Sequence, residues 1–350
     1  MPSILRNPWR GTGTDPDALM PIASASDVAS LLSLCPLHRQ TPLHDAPALA
    51  QQANVAQVFI KDERVRMGLG SFKALGAVYA IARNAVDRVG RIPAALPQAL
   101  HAETFVAASA GNHGLSVAAG ARIFGSRAVI YLSRAVPDAF ADRLRAHGAE
   151  VVRAGADYEQ SMTAASQAAQ DEGWTLLSDS SWPGYTALPL RVMEGYTQLI
   201  AETVRQMNLP PTHIVVQAGV GGLAAAVAAH ARLAWGAGPR IFVVEPDAAP
   251  ALIESIRAGH IVDTEGPASA MGRLDCKTAS MIALAGLSRD ADAFVTLTEQ
   301  EAQSGIGTLA EHGFQTTPSG GAGLAALLAG LDIEADARVL TFLSEGPEDG

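Results

Sequence analysis

The chain has 350 residues, 48% of them hydrophobic and 17% charged, and a net charge of −10. An acidic chain without a basic stripe is not expected to bind nucleic acid, and no apolar run reaches the roughly 18 uncharged residues of a membrane span. Two cysteines, Cys35 and Cys276, are too few for a disulfide framework and lack metal-ligand spacing, and no apolar stretch follows the arginines of Met1–Arg10 to make a secretory signal, so a soluble cytoplasmic enzyme of two lobes is expected.

Residues 1–30, rich in Pro, Gly, Ser and Asp, read as a surface arm. Leu31 to Leu43 reads as extended and turn-like, because Pro36 and Pro42 push the residues before them out of the helical region. Val55 to Asp62 forms a strand, and Gly68-Leu-Gly-Ser-Phe-Lys73 turns the chain into a helix. From Ser71 to Arg83 the apolar residues Phe72, Leu75, Val78 and Tyr79 recur at helical steps, and the helix ends near Gly90. Lys73 stands in its first turn, where the helix dipole disfavours a cation, with no carboxylate at i+3 or i+4. A lysine so placed has reason to shed its proton, the state that Schiff-base chemistry needs. A surface lysine reaching for solvent is the plainer alternative, and two later turns weigh against it.

The Pro-rich stretch Ile92 to Pro97 reads as a connection, dividing a large unit (1–95 and 190–350) from a small one (96–189). The small unit repeats strand, turn and helix. Phe105–Ala108 is a strand and Leu115–Phe124 a helix; Ala128–Leu132 is a strand and Pro137–His147 a helix. Glu150–Val152, the helix Tyr158–Glu172 and the strand Thr175–Leu177 follow, leading to Asp179. The large unit resumes with a helix from Leu190 to Met207 and a strand, His213–Gln217, apolar enough to be buried on both faces. A helix from Leu223 to Leu233, a strand from Arg240 to Glu245, a helix from Ala248 to Gly259 and a strand from Ala293 to Thr298 come next. After the helix Glu299–Gly313, Pro318–Gly323 opens a last helix and Arg338–Ser344 is the closing strand. Strands alternating with helices of this length give an α/β fold with parallel-rich sheets and helices on both faces.

Ligands of such sheets lie beyond the carboxyl ends of the strands, where the Gly-rich turns fall. Gly219-Val220-Gly221-Gly222, running into Leu223, joins a strand to a helix, and converging N–H groups at a helix start suit an anion. No dinucleotide fingerprint is present, so a compact phosphate monoester is the better ligand, with close helix–strand packing as the alternative. The turn Ser109-Ala110-Gly111-Asn112-His113-Gly114 offers N–H groups for a carboxylate and an amide at Asn112; the alternative is a helix start capped by Ser109. His113 has no carboxylate or second histidine near it in sequence and reads as a structural group.

Together these turns resemble the fold-type II family of pyridoxal-phosphate enzymes over almost the whole chain. The likeness runs through Thr41-Pro42-Leu43, Ser71-Phe72-Lys73, Ser109 to Gly114, Gly219 to Gly222, Pro318-Ser319-Gly320 and Ser344-Glu345-Gly346. The resemblance implies a two-lobed architecture like that of the tryptophan synthase β chain, a pyridoxal 5′-phosphate cofactor and a homodimer. It implies that Lys73 carries the cofactor, that Asn112 lies beside its phenolic oxygen, and that Gly219, Val220, Gly221, Gly222 and Leu223 surround its phosphate. Ser344 would face the ring nitrogen as a neutral hydroxyl, which favours prompt β-elimination. Ser109, Ala110, Gly111 and His113 would border a small amino-acid substrate.

Within the family the likeness extends furthest toward the diaminopropionate ammonia-lyases. It is carried by Gly68 to Ala80, Asp179-Ser-Ser-Trp-Pro-Gly-Tyr185 with Met193-Glu-Gly-Tyr196, Pro211 to Gly221, and Val244-Glu-Pro-Asp247. It implies Asp179 near a substrate β-amino group; an N-cap before a Pro-containing turn is the other reading of that residue. One departure is marked. Those lyases have an aspartate before Gly-Asn-His, implied to take the proton of the D-isomer, whereas this chain has Ala110, as threonine dehydratases do. An alanine is no base, so activity is expected on L-isomers, with Lys73 taking the α-proton. Glu245 opens a stretch that binds a cation in serine racemase-like members, but the later aspartate position is Ala251, so no metal is expected. The expected reaction is α,β-elimination to a 2-oxo acid and ammonia, first on L-2,3-diaminopropionate. A serine, threonine or 3-hydroxy amino acid dehydratase is the alternative, and a β-replacement synthase the alternative of another class.

Overall fold

The computed structural model describes residues 2–347. Its strands are β1 (Ser3–Arg6), β2 (Leu43–Asp45), β3 (Gln57–Asp62), β4 (Thr104–Ala108), β5 (Arg127–Leu132), β6 (Glu150–Arg153), β7 (Thr175–Leu176), β8 (His213–Gln217), β9 (Arg240–Pro246), β10 (Ala293–Leu297) and β11 (Arg338–Leu343). They form a seven-stranded sheet in the order β1-β10-β9-β8-β11-β3-β2 and a four-stranded sheet in the order β6-β5-β4-β7. The small sheet is wholly parallel, and in the large one only the edge strands β1 and β2 pair antiparallel.

Alternation along the strands of the large sheet feeds two separate cores. Ile214 and Val216 of β8, with Ile241 and Val243 of β9, join one apolar cluster; Val215, Phe242 and Val244 join another on the opposite face. The first cluster holds residues of the helices Gly76–Val89, Ala187–Gln206, Gly222–Trp235 and Met281–Asp290, and the second residues of Glu299–Glu311 and Ala322–Leu328. Burial on both faces explains why these strands read as unbroken apolar runs. The first cluster also takes Phe105 and Ala107 of β4, so one core spans both sheets. Helix Asn112–Ile123 approaches helix Gly76–Val89 through Gly120, where a Cβ would lie 2.9 Å from Ile81 Cδ1 and 3.2 Å from Val78 Cα.

The expected surface arm is only partly one. Ile4 pairs with Val295 in the edge strand, Asn7 is buried and its amide donates to Ser288 O and Ala291 O at 2.7 Å, and Ser26–Leu32 is a helix. The elements β2, Pro47–Gln52 and Met281–Asp290 were not legible as such: the three and six residues of the first two give too few apolar repeats, and the last is a helix apolar nearly all round. Lys73 is not in the α-helix proper. It lies in a 3-10 turn, Phe72–Leu75, and the helix starts at Gly76.

Candidate active site

Five strand ends converge here. After β3 comes the 3-10 turn of Lys73, after β4 the turn 109–111, after β7 Asp179, after β8 the glycine loop 219–221, and after β11 Ser344 to Gly346. The first and last are stitched together: Phe72 N donates to Ser344 O at 3.0 Å, Gly346 N donates to Gly70 O at 2.9 Å, and Ser71 bridges Glu345.

Lys73 Nζ donates to Asp179 Oδ2, and each side chain is 21% exposed. Burial pushes the amine down and the carboxyl up, but their mutual attraction outweighs burial at both ends. The lysine is held well above its usual range and the aspartate well below. No carboxylate stands at i+3 or i+4, as expected, but the expectation of a lysine with reason to be neutral is overturned by a partner elsewhere in the chain. The partner lies 106 residues along the chain, beyond any local spacing rule. The ammonium also sits 5.1 Å from the Phe72 ring centroid and 5.6 Å from that of Tyr196, within cation–π reach.

Asp179 is fixed from both sides. Tyr185 OH accepts from Ser178 N at 3.0 Å and donates to Leu176 O at 2.8 Å, and its ring stacks on Trp182 at 4.3 Å. On the far side Ser181 N donates to Ser280 Oγ at 3.0 Å. Tyr196 crosses between helices: Gly76 and Gly222 both lie against its ring, and a Cβ at Gly76 would stand 2.5 Å from it.

The glycine loop has the shape of an anion cradle. Gly221 has φ +100°, a Cβ on Gly219 would lie 3.0 Å from Cys276 Sγ and 3.1 Å from Arg273 O, and helix Gly222–Trp235 starts immediately after. Among the described residues, no backbone carbonyl accepts from the N–H groups of Gly219, Gly221, Gly222 or Leu223. Unpaired N–H groups at a helix start suit a phosphate. Among the described residues Ser71 Oγ, buried, also lacks a hydrogen-bond partner. A phosphate-bearing group with an aldehyde at Lys73 fits this donor set.

Asn112 opens the helix Asn112–Ile123; the N-cap is Gly111, not Ser109, whose Oγ instead accepts from Gly111 N at 3.3 Å. Its amide donates to Glu345 Oε2, and Thr317 Oγ1 donates to the other oxygen of that carboxylate. Ala110 packs against the core beside this turn. His113 is buried, its Nε2 lies 2.8 Å from Leu177 O, and burial lowers its pKa, so it joins the turn to the end of β7. Ser344 Oγ accepts from Gln217 Nε2 at 3.1 Å. Glu245 is fully buried, and its two oxygens accept from Leu252 N and Ile253 N at 2.8 Å each, capping helix Ala251–Ala258.

Four residues here were given no firm role from the sequence. Tyr196 and Glu345 lay inside recognised motifs that did not reveal what they touch. Arg273, 3.6 Å from Glu345, and Cys276, whose thiol burial pushes up to about 12, come from the stretch Met271–Cys276, which reads from sequence as lying near the pocket, with Arg273 equally an arginine for an acidic substrate or a surface one.

The model of the family described as pyridoxal-phosphate dependent enzyme matches residues 34–345. Diaminopropionate ammonia-lyase of Escherichia coli K12 is 30% identical, the alignment covering 89% of this chain and 85% of that one. The protein of that name from Salmonella typhimurium is 35% identical over 235 residues, 63% of this chain and 58% of its own length. The crystal structure of diaminopropionate ammonia-lyase from Escherichia coli in complex with D-serine superposes with a TM-score of 0.88 at 29% identity, covering 100% of this chain and 95% of that one.

Proposed function

Because the chain belongs to the family of pyridoxal-phosphate dependent enzymes, we propose that it eliminates the β-substituent of a small L-amino acid, first of all L-2,3-diaminopropionate, to give a 2-oxo acid and ammonia. The observation that carries this is the Lys73–Asp179 pair, set at the strand ends beside an empty-handed row of loop amides. In the cofactor's place, the amides of Gly219 to Leu223 would hold the phosphate, Asn112 and Ser344 would meet the ring, and Lys73 would bond its aldehyde carbon. Pyridoxal phosphate, when bound, supplies the electron sink for the carbanion chemistry.

The chain supplies the proton path and the orientation. Lys73 Nζ takes the α-proton once its amine is free. Asp179, kept ionised at neutral pH, binds the β-amino group as an ammonium and holds its Cβ–N bond for cleavage. The nitrogen leaves with the bonding pair, and addition of water to the three-carbon remainder gives the 2-oxo acid and a second ammonia. The N–H groups of the 109–113 turn receive the α-carboxylate, with His113 bracing that turn. Ala110 puts no base on the opposite face, which restricts turnover to L-isomers. Glu245 serves as a helix cap in this scheme and no metal takes part.

Ala110 favours a second reading, dehydration of serine, threonine or a 3-hydroxy amino acid. Ammonia counted per 2-oxo acid, with purified protein, cofactor and a panel of L-amino acids, separates the two. Two ammonia from diaminopropionate with little turnover of serine or threonine supports the lyase. One from a hydroxy amino acid, with diaminopropionate inert, makes it a dehydratase. An amino acid product larger than the oxo acid would instead mark a β-replacement synthase.

The unit 96–189 is taken to open and close over the substrate against the unit formed by 1–95 and 190–350. We place the enzyme in the cytoplasm as a homodimer; Cys35 and Cys276 are both free thiols, as in a reducing compartment. Light scattering of the eluted protein tests the dimer.

A further inference from the structure

At the mouth of the same site a cavity of about 140 Å³ is lined by Arg64, Arg143 and Arg273 on one side of the charge balance and by Glu345 on the other. A second cavity, of about 320 Å³, shares Arg273, Thr317 and Glu345 with it. The single acid is already satisfied, by Asn112, Thr317 and Arg273. Arg64 is likewise held, with two bonds to Asp62 at 2.9 and 2.7 Å and one to Gln315 O at 2.9 Å.

Arg143 is different. It stands on helix Asp138–Ala146, half-buried, and among the described residues no hydrogen bond or ion pair engages it. Its Nη2 lies 3.8 Å from where a Cβ on Gly70 would stand, three residues before Lys73. Phe140 of the same helix packs under the Arg273 guanidinium at 5.8 Å, so arginines approach the cavity from both sheets' sides. A guanidinium without a counter-charge, in a narrow cleft, concentrates anions, and its planar fork matches a carboxylate.

We propose that this cavity receives a carboxylate carried at the far end of the β-substituent, so that the enzyme acts on β-substituted amino acids with a second, distal carboxylate. This rests on the elimination reading and names its substrate class. With Nβ-carboxymethyl-2,3-diaminopropionate the Cβ–N bond breaks, the electron pair leaves with the nitrogen, and that nitrogen takes a proton to become glycine. The three-carbon remainder adds one water and yields the 2-oxo acid and one ammonia.

The test uses unreactive carbon isosteres, 2-aminoadipate and its side-chain amide, titrated calorimetrically into the holoenzyme. The wild type is expected to bind the carboxylate at least about 10-fold tighter than the amide, the worth of a charge-assisted bond. Arg143→Gln is expected to bring the two within about twofold, and Arg143→Lys to fall between. Equal affinities in the wild type, no binding of either compound, or a preference that survives Arg143→Gln would each overturn the proposal. Turnover of the carboxymethyl compound is followed beside that of diaminopropionate: diaminopropionate turned over without release of glycine from the carboxymethyl compound overturns the proposed substrate class, whereas turnover of neither removes the elimination reading.

Discussion

At the residue scale the site depends on who partners Lys73. The lysine's local surroundings, a turn of apolar residues at a helix start, were legible in the sequence, and they pointed to a neutral amine. Asp179 reverses that, and nothing local to Lys73 announced it. Replacing Asp179 by Asn removes a charge-assisted bond. It is expected to raise KM for diaminopropionate by about 10- to 100-fold, and KM for serine much less, because only the former brings a second ammonium. In the cofactor-free protein the same change lets burial win, so the Lys73 pKa drops, which lysine NMR titration reads. Ala110→Asp restores a carboxylate on the face opposite Lys73. We expect it to add turnover of D-diaminopropionate while the L-isomer is retained; a variant still blind to the D-isomer would remove Ala110 as the cause of stereospecificity. The roles of Asn112, Ser344 and the 109–113 turn came from family likeness, because an amide or hydroxyl in a turn carries no signature of its own ligand.

At the element scale, most strand–turn–helix units were legible because their strands are predominantly apolar and several of their turns are glycine-rich. What escaped were pieces too short for periodicity, such as Pro47–Gln52, and the edge strand Ser3–Arg6, whose partner is almost 300 residues away in the chain. The glycine loop is an element whose sequence and geometry agree. Gly221 at φ +100° has Ala283 Cβ 3.0 Å from a would-be Cβ, with Leu252 at 3.3 Å. Gly221→Ala therefore meets both backbone strain, roughly 1–2 kcal/mol, and a crowded neighbour. The expected result is weaker cofactor binding, by about 10-fold or more, in an absorbance titration of the apoprotein. Wild-type affinity in that variant would show that the loop tolerates a side chain and that its glycines serve packing elsewhere.

At the scale of the whole molecule, charge burial shapes stability against pH. Glu245 is pushed up to about 8 by burial, against the pull of the two N–H groups it caps. A carboxyl raised in the folded state favours folding most below its unfolded pKa, and that contribution is lost as pH rises through about 8. Buried histidines such as His113 and His213, lowered by burial, act in the opposite sense over the lower part of this range. The two effects separate on comparing the wild type with Glu245→Gln. Between about pH 5 and pH 8 the wild type should lose stability relative to the variant, by up to roughly 1.4 kcal/mol per pH unit, in urea denaturation. Parallel curves would mean that Glu245 does not titrate in this range. Sheet order carries a further consequence, for synthesis on the ribosome. β11, the last strand among the described residues, lies between β8 and β3 near the middle of the large sheet. Until it is translated, β3 has no parallel neighbour and the Lys73 turn has nothing to be stitched to. Every element from β4 to β10 is therefore made before β3 gains that neighbour, a long exposure during which local folding alone leaves the site half-built.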